Sequence, residues 1–233
     1  MEDCEIGFLR KPDAAPKKGI RSYRAIALTS VMSKWYAACL IQLLEKEKEP
    51  ESWKKLHVGG IDGISCQHFQ VMMTLLLQKH WEWQEDKEKG KLHGRDMKPT
   101  LYLASMDIKT AFDIAKPKHI AKIMSDHQVH GWIVSALLRE MKSLEGRATF
   151  ENLECAFPFN KCICQGSVEA PRLWLKLAMQ ILANVEPLWM KKKMGVHMNT
   201  QEGGSHQVCS FMWADNYWIM SHSKTHLEQM MKE

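Results

Sequence analysis

TLYLASMDIKTAFD, residues 100–113, combines a short apolar run with acidic side chains at its end. The first part, Thr100 to Met106, is rich in residues that favour strands and is bounded by Pro99 and Asp107. A short apolar run with such boundaries is typical of a buried β-strand. The sequence therefore predicts a strand that presents Asp107 at its end.

A second set of strands is predicted nearer the end of the chain. Gln207 to Trp213 (QVCSFMW) predicts a strand, Asp215 follows it, and Tyr217 to Met220 predicts the start of another. A single aspartate after a strand is usually a turn or helix-cap residue. Two acidic strand ends together are what a two-metal phosphoryl-transfer site requires, because Mg²⁺ prefers oxygen ligands and two ions about 4 Å apart can activate a hydroxyl group. Asp107 and Asp215 are the candidates.

Helices are predicted where apolar residues recur at intervals of three and four. The predicted helices run from Ser30 (as N-cap) to Glu47, Cys66 to Trp83, Lys118 to Gln128, Gly131 to Ser143 and Glu169 to Met190. Residues 10–24 (RKPDAAPKKGIRSYR) predict a basic loop or hairpin, and residues 85–99 predict an exposed loop. Two or three strands with helices inserted between them indicate the α+β class.

The composition fits a folded chain that is mildly attracted to polyanions. Of 233 residues, 45% are hydrophobic and 25% charged, and the net charge is +5. No apolar run reaches the roughly 18 residues that cross a bilayer, and the first residues lack the features of a signal peptide. We expect a soluble, intracellular protein without a membrane partner, and no clear signal marks it for the nucleus.

The seven cysteines have no regular spacing, which predicts free thiols.

A glycine turn lies between the two acidic strand ends. Gln165-Gly166-Ser167 precedes the helix predicted from Glu169. Such a turn can approach a nucleotide closely because glycine has no side chain, and the start of the helix favours negative charge. From these residues alone, an ordinary turn at a helix start is the favoured interpretation.

Four blocks in this order resemble those of reverse transcriptases of the non-LTR retrotransposon type. They are FLRKPDAAPKKGIRSYRAIALTSVMSKWY (residues 8–36, fingers block), MDIKTAFD (106–113, motif A), CQGSVEAPRLW (164–174, motif B) and FMWADN (211–216, motif C). The resemblance extends from Phe8 to about Ser221. It implies polymerase fingers and palm, with a small antiparallel sheet and helices packed on one side. Residues 1–90 would be fingers-like and residues 91–233 palm-like, and the thumb is expected to be absent.

The resemblance also implies a role for each matching residue. The implied metal ligands for Mg²⁺ or Mn²⁺ are Asp107, the backbone carbonyl of Ile108, Asp215 and Asn216, with Asp107 and Asp215 as the catalytic pair. The implied nucleotide-binding residues are Arg24, Lys11, Phe112, Gln165 and Gly166, and the implied primer-terminus residues are Trp213 and Ala214. The implied partners are an RNA template, a DNA primer and deoxynucleoside triphosphates. Phe112 is equally typical of a core aromatic, and Arg24 and Lys11 of a solvated basic loop.

Several positions depart from the family pattern. Asn216 stands where motif C has its second aspartate, which removes one negative charge from a site for two divalent cations. Ala25, Cys164 and Ala170 replace the usual Pro, Arg and Ser. Three hypotheses stay open: an RNA-directed DNA polymerase, full or partial; a catalytically inactive reverse-transcriptase-like module that binds nucleic acid; and a retroelement relic.

Overall fold

The computed structural model describes residues 2–11, 22–50, 52–53, 59, 63–89, 100–142, 144–150, 153–158, 163–199 and 205–233. The strands in these ranges are β1 (Glu2–Arg10), β2 (Tyr23–Leu28), β3 (Tyr102–Asp107), β4 (Leu144–Phe150), β5 (Leu153–Pro158), β6 (Val196–Asn199), β7 (Ser205–Val208), β8 (Ser210–Trp213) and β9 (Asn216–Ser221). The helices are α1 (Val31–Lys46), α2 (Cys66–Glu88), α3 (Ala111–Ile114), α4 (Pro117–Asp126), α5 (Gly131–Lys142), α6 (Ala170–Lys191) and α7 (Lys224–Met230). None of these helices is long and apolar enough to span a membrane.

The chain divides into two compact units, each built from two segments. Unit 1 comprises Met1–Pro50 and Thr110–Ala178, and unit 2 comprises Glu51–Lys109 and Met179–Glu233. Unit 1 ends at Ala178 and unit 2 resumes at Met179, and both residues belong to α6. This helix therefore contributes residues to both units.

Unit 1 is built on a four-stranded mixed sheet. The strand order is β2-β1-β4-β5; β1 runs antiparallel to β2 and parallel to β4, and β4 and β5 are antiparallel. One face buries Cys4, Ile6 and Ala27 together with Cys164. Helix α5 packs against both α1 and α4. The sheet and these helices form the body that carries the turn at residues 165–166.

Unit 2 is built on a three-stranded antiparallel sheet in the order β3-β9-β8. Alternate residues of β9 enter two different apolar clusters. Trp218 and Met220 pack with residues of α2, whereas Tyr217 and Ile219 pack with residues of α6 and α7. The α+β class and the small antiparallel sheet are therefore confirmed. Helices cover both faces of this sheet rather than one, because β9 is apolar on both faces.

The predicted helices are confirmed, with small shifts at their ends. The Ser33 N–H donates to the Ser30 hydroxyl oxygen over 3.1 Å, which is the predicted N-cap of α1. Helix α2 continues to Glu88, beyond the predicted end at Trp83, and the ion pair between Glu85 and Lys89 supports the added turn. Residues 90–99 of the predicted loop lie outside the described residues.

The strand predictions need several corrections. Strands β1, β2 and β6 were not predicted as strands. Strands β4 and β5 escaped prediction because their sheet has weak hydrophobic patterning; almost every residue of β5 is exposed. The single strand predicted from Gln207 to Trp213 is in fact β7 and β8, which lie in different sheets and are separated at Cys209. The ends of the predicted basic loop lie in β1 and β2, and residues 12–21 lie outside the described residues.

The described cysteines are free thiols, as the sequence predicts. There are six of them, and Cys162 lies outside the described residues.

Candidate active site

The predicted acidic residues meet at one end of the unit 2 sheet. Asp107 is the last residue of β3 and pairs with Asn216, the first residue of β9. Asp215 lies in the two-residue turn that joins β8 to β9, and its backbone carbonyl accepts a hydrogen bond from the Ile108 N–H over 2.9 Å. Directly opposed residues of an antiparallel pair have Cα atoms about 4.5–5.5 Å apart. All four implied metal-site residues are therefore close neighbours.

The donor atoms at this sheet end are suited to a hard divalent cation. Asp107 and Asp215 offer carboxylate oxygens, Asn216 an amide oxygen and Ile108 a backbone carbonyl, which are the ligand types that Mg²⁺ and Mn²⁺ accept. Asp107 is exposed, whereas Asp215 and Asn216 are half-buried. No group of three or more His, Cys, Asp or Glu residues forms a metal cluster in the described parts of the chain. These oxygen donors fit the implied metal, but only the two aspartates among them carry a negative charge.

The backbone on either side of these acids is strained. Ala214, the first residue of the β8–β9 turn, has a φ of 54°, and Thr110, three residues after Asp107, has a φ of 55°. Two-residue hairpin turns need a positive φ, but residues other than glycine adopt it at a cost of about 1–2 kcal/mol. For Thr110, which is β-branched, such an angle is a genuine outlier. Strain of this kind is common where a fold holds functional groups in place.

The implied primer-terminus residue Trp213 packs inside unit 2. Its ring meets the Phe69 ring edge-on, with centroids 5.4 Å apart, and the backbone of Gly59 lies against its benzene half. The Gly59 N–H donates to the Met212 carbonyl over 2.7 Å. Trp213 therefore has a structural role next to the turn that carries Ala214 and Asp215.

A buried acid lies behind the same hairpin. Glu186 on α6 is only 2% exposed and accepts a hydrogen bond from the buried hydroxyl of Ser210 on β8. Burial raises the pKa of Glu186 to about 7, although the hydrogen bond from Ser210 lowers it in part. Burial, reinforced by the Glu186 charge, raises the pKa of the Cys209 thiol to about 12. Burial likewise raises the pKa of the Tyr217 hydroxyl. This polar cluster underlies the strands that carry Asp215 and Asn216.

Glu186 makes the stability of the protein depend on pH. Between the ordinary pKa of 4.5 and the folded-state pKa of about 7, the folded protein holds a proton that the unfolded chain releases. The free energy of unfolding should therefore fall by about 3 kcal/mol as the pH rises through this window. Glu186→Gln should remove that loss, because the amide carries no charge at either pH. Denaturant unfolding near pH 5 and pH 8 measures the difference.

The matched control for this prediction is Glu154→Gln, which changes an exposed glutamate of β5. It should keep the pH dependence of the unmodified protein. An unchanged pH dependence in Glu186→Gln would show that Glu186 is already ionised in the folded protein.

The turn at Gln165 and Gly166 lies against the edge strand of the unit 1 sheet. The Gln165 carbonyl accepts from the Ala27 N–H of β2 over 2.8 Å. Gly166 has a φ of 104°, and a Cβ there would lie 2.7 Å from the Ala27 carbonyl oxygen and 2.7 Å from the Ile26 side chain. Close packing against β2 therefore explains why residue 166 is glycine.

The other implied nucleotide-binding residues also lie in unit 1. Arg24 is exposed on β2, and Lys11 is exposed just after β1, where its N–H donates to the Ser22 carbonyl over 2.8 Å. The β1–β2 register pairs Leu9 with Arg24, so both cations lie near one end of this strand pair. Phe112 on α3 is half-buried, and its ring lies 6.2 Å from that of Trp174 on α6.

The structure thus gathers the implied residues into two groups. The metal and primer-terminus residues share one sheet end in unit 2, and the nucleotide-binding residues lie in unit 1 around β2 and α3.

Two residues of the unit 2 site escaped sequence reasoning. A signal for Glu186 was present, since it is an acid on the stripe Leu182, Glu186, Trp189 that α6 buries. Gly59 gave no signal beyond its place in a glycine-rich segment, because its contact with Trp213 depends on tertiary packing.

The fold is similar to that of solved telomerases. Telomerase from Candida albicans in complex with a TWJ fragment of telomeric RNA matches with a TM-score of 0.59 and 10% identity, over 100% of this chain and 40% of that one. Apo telomerase from Candida tropicalis truncated from its C-terminal domain matches with a TM-score of 0.56 and 11% identity, over 99% and 46%. The chain thus spans less than half of these proteins, and at such identities the likeness concerns the fold alone. No curated protein sequence matches the chain significantly.

The family of the chain follows from its sequence blocks and from a match to a family model. The model described as reverse transcriptase (RNA-dependent DNA polymerase) matches residues 15–233, which is most of the chain. The blocks around Asp107, Gly166 and Asp215 all fall within the matched range. The chain therefore belongs to the reverse transcriptase family.

Proposed function

We propose that this chain is the fingers and palm part of an RNA-directed DNA polymerase of the non-LTR retrotransposon type. The observation that carries the proposal is the pairing of β3 with β9, which makes Asp107 a close neighbour of Asp215 and Asn216. Two carboxylates at adjacent strand ends suit nucleotidyl transfer, which needs oxygen ligands for divalent cations. Residues 1–90 serve as fingers and residues 91–233 as palm.

In the proposed reaction, a primer 3′ hydroxyl attacks the α-phosphate of a deoxynucleoside triphosphate, and pyrophosphate leaves. Divalent ions bound at this site would lower the pKa of the attacking hydroxyl and offset the charge on the phosphates. Asp107 and Asp215, with the Ile108 carbonyl and the Asn216 amide, would hold these ions. Asn216 supplies an oxygen without a charge, so we propose a weakened site in a diverged enzyme.

The residues of unit 1 would bind the nucleotide and its template pair. Arg24 and Lys11 are exposed cations at one end of the β1–β2 pair, and a guanidinium group suits phosphate oxygens. Phe112 would pack against the sugar and disfavour a 2′ hydroxyl, and Gln165 and Gly166 would lie beside the nascent pair. Trp213, at the end of β8, and Ala214, in the following turn, would flank the primer terminus.

The second candidate is a catalytically inactive module that binds nucleic acid. The specific observation in its favour is Asn216, which pairs directly with Asp107 and carries no charge there. The solved Candida albicans telomerase is bound to a fragment of telomeric RNA, so RNA is a reasonable ligand to test with either candidate.

Primer extension by the purified chain tests the proposal. We expect extension of a DNA primer on an RNA template in Mg²⁺ or Mn²⁺, with deoxynucleotides preferred over ribonucleotides. Asp107→Ala is the control for activity from contaminants. Absence of extension with retained RNA binding would support the inactive module, and absence of both would contradict the two candidates together.

A further inference from the structure

Gly59 lies closer to an aromatic ring than any other residue type could. A Cβ built on Gly59 would lie 1.9 Å from Cε3, 2.5 Å from Cζ3 and 2.7 Å from Cδ2 of Trp213. These three atoms belong to the benzene half of the indole, so the backbone of Gly59 lies next to that part of the ring. Side-chain atoms essentially never approach within 3.0 Å, and therefore even an alanine would displace the indole.

The half-buried indole also packs against a buried aromatic side chain. Phe69 meets it edge-on at 5.4 Å and meets Phe211 at 6.1 Å. Phe69 and Phe211 are buried members of the cluster between α2 and the sheet. The Gly59 backbone is itself held, because its N–H donates to the Met212 carbonyl on the edge strand β8.

The position of Trp213 is coupled to that of the candidate metal site. Trp213 pairs with Asn216 across the two-residue turn, so its backbone is one arm of the hairpin that presents Asp215. The turn is already strained at Ala214. A displaced indole would shift this arm, and the hairpin has only two turn residues to absorb the change.

We propose that Gly59 is a positioning residue for Asp215, acting through Trp213. The role of Asp215 as a metal ligand rests on the proposed function. Gly59 matters because residue 213 is Trp, whose benzene half occupies the space that a Cβ at residue 59 would need. A Phe ring has no equivalents of Cε3 and Cζ3, the two indole atoms that a Cβ at residue 59 would overlap most. The requirement for glycine at position 59 should therefore disappear when residue 213 is Phe.

Two measurements test the coupling in the full chain. The first is Mn²⁺ binding, followed through the electron paramagnetic resonance signal of the free ion. The binding that is lost in Asp107→Asn is the binding that takes place at the proposed site. The second is amide hydrogen exchange of peptides from the β8–β9 hairpin, compared with peptides from α5. Gly131→Ala is the matched control, because a Cβ at Gly131 would meet nothing within 4 Å.

Gly59→Ala should weaken Mn²⁺ binding by roughly 10- to 100-fold, as is typical when a residue that supports a metal ligand is lost. It should accelerate exchange in the hairpin and leave exchange in α5 unchanged, which a general loss of stability would not do. Gly59→Ala combined with Trp213→Phe should restore both readouts, and Gly131→Ala should match the unmodified protein.

The outcomes separate this inference from the proposed function. Unchanged exchange in the hairpin of Gly59→Ala, or failure of Trp213→Phe to restore it, would overturn the positioning role. An unmodified protein that binds no Mn²⁺ would contradict the proposed function, while hairpin exchange would still decide the role of Gly59. If Gly59→Ala does not fold, a folded double variant with normal exchange supports the inference, and an unfolded double variant overturns it.

Discussion

Asp107→Asn should lower the rate of primer extension roughly 1000-fold, because it removes one of the two carboxylates of the proposed metal site. A carboxylate in contact with a divalent ion gains several kcal/mol at an effective dielectric constant of about 20. A loss of about 4 kcal/mol in the transition state corresponds to roughly 1000-fold in rate. Single-nucleotide extension under excess enzyme measures the chemical step without the need for repeated primer binding.

Asn216→Asp is the opposite change at the residue paired with Asp107, and it should raise the rate roughly tenfold through stronger metal binding. Without metal it should slightly destabilise the protein, because like charges on directly opposed residues repel by about 0.2–1 kcal/mol. Added Mn²⁺ should then raise its melting temperature more than that of the unmodified protein. Asp107→Asn is therefore recognised by a lower rate, and Asn216→Asp by a higher rate together with a melting temperature that rises more on addition of Mn²⁺.

The combined variant, Asp107→Asn with Asn216→Asp, keeps the number of charges and exchanges their places across the β3–β9 pair. If only the total charge matters, it should extend primers as the unmodified protein does. If Asp107 is the obligatory ligand, it should be as slow as Asp107→Asn alone. Equal rates in all four proteins would show that these residues take no part in the reaction.

The acidic sheet end was predictable because local sequence determines it. The apolar run before Asp107 and the run before Asp215 each predict a strand that ends in an acid, and the order of the family blocks links them. Sequence reasoning could not supply the register that opposes Asp107 to Asn216, since a one-residue slip keeps the same local pattern. Tertiary pairing, seen in the Ile108–Asp215 hydrogen bond, fixes that register.

The strands of unit 1 were harder to predict for a different physical reason. Sheets that are buried on one face normally alternate polar and apolar residues, but β5 is exposed along nearly its entire length. The parallel pairing of β1 with β4 joins segments more than 130 residues apart, and no local pattern carries that information. The break at Cys209 was hidden for a similar reason, because the run from Val208 to Trp213 is continuously apolar or small, while the strands on either side of Cys209 pair with different partners.

Gly166 shows how one residue type can have two explanations that sequence alone does not separate. From the sequence, residue 166 could be glycine so that a nucleotide can approach its backbone closely. The structure gives a second explanation, because Gly166 lies close to β2. A side chain at residue 166 would meet the Ala27 carbonyl oxygen at 2.7 Å. That part of β2 is held by the hydrogen bond from the Ala27 N–H to Gln165, so it cannot move away without breaking the contact.

Gly166→Ala should therefore reduce the free energy of unfolding by about 2–6 kcal/mol. Two costs add: the unfavourable φ of 104°, at about 1–3 kcal/mol, and the forced overlap with backbone, at about 1–3 kcal/mol. Denaturant unfolding of the full chain measures the loss. Gly7→Ala is the matched control in the same sheet, because a Cβ there would lie at an ordinary 3.5 Å from Leu28 and its φ is not positive. It should be neutral or slightly stabilising.

The stability of Gly166→Ala decides between the two explanations. If the glycine exists for packing against β2, the variant loses stability whether or not a nucleotide is present. If it exists only to admit a nucleotide, the variant should unfold like the unmodified protein and lose affinity for deoxynucleoside triphosphates alone. A loss of stability below about 1 kcal/mol would exclude the packing explanation, because neither the backbone strain nor the overlap could then be present. A loss of several kcal/mol would mean that residue 166 is glycine because it packs against β2.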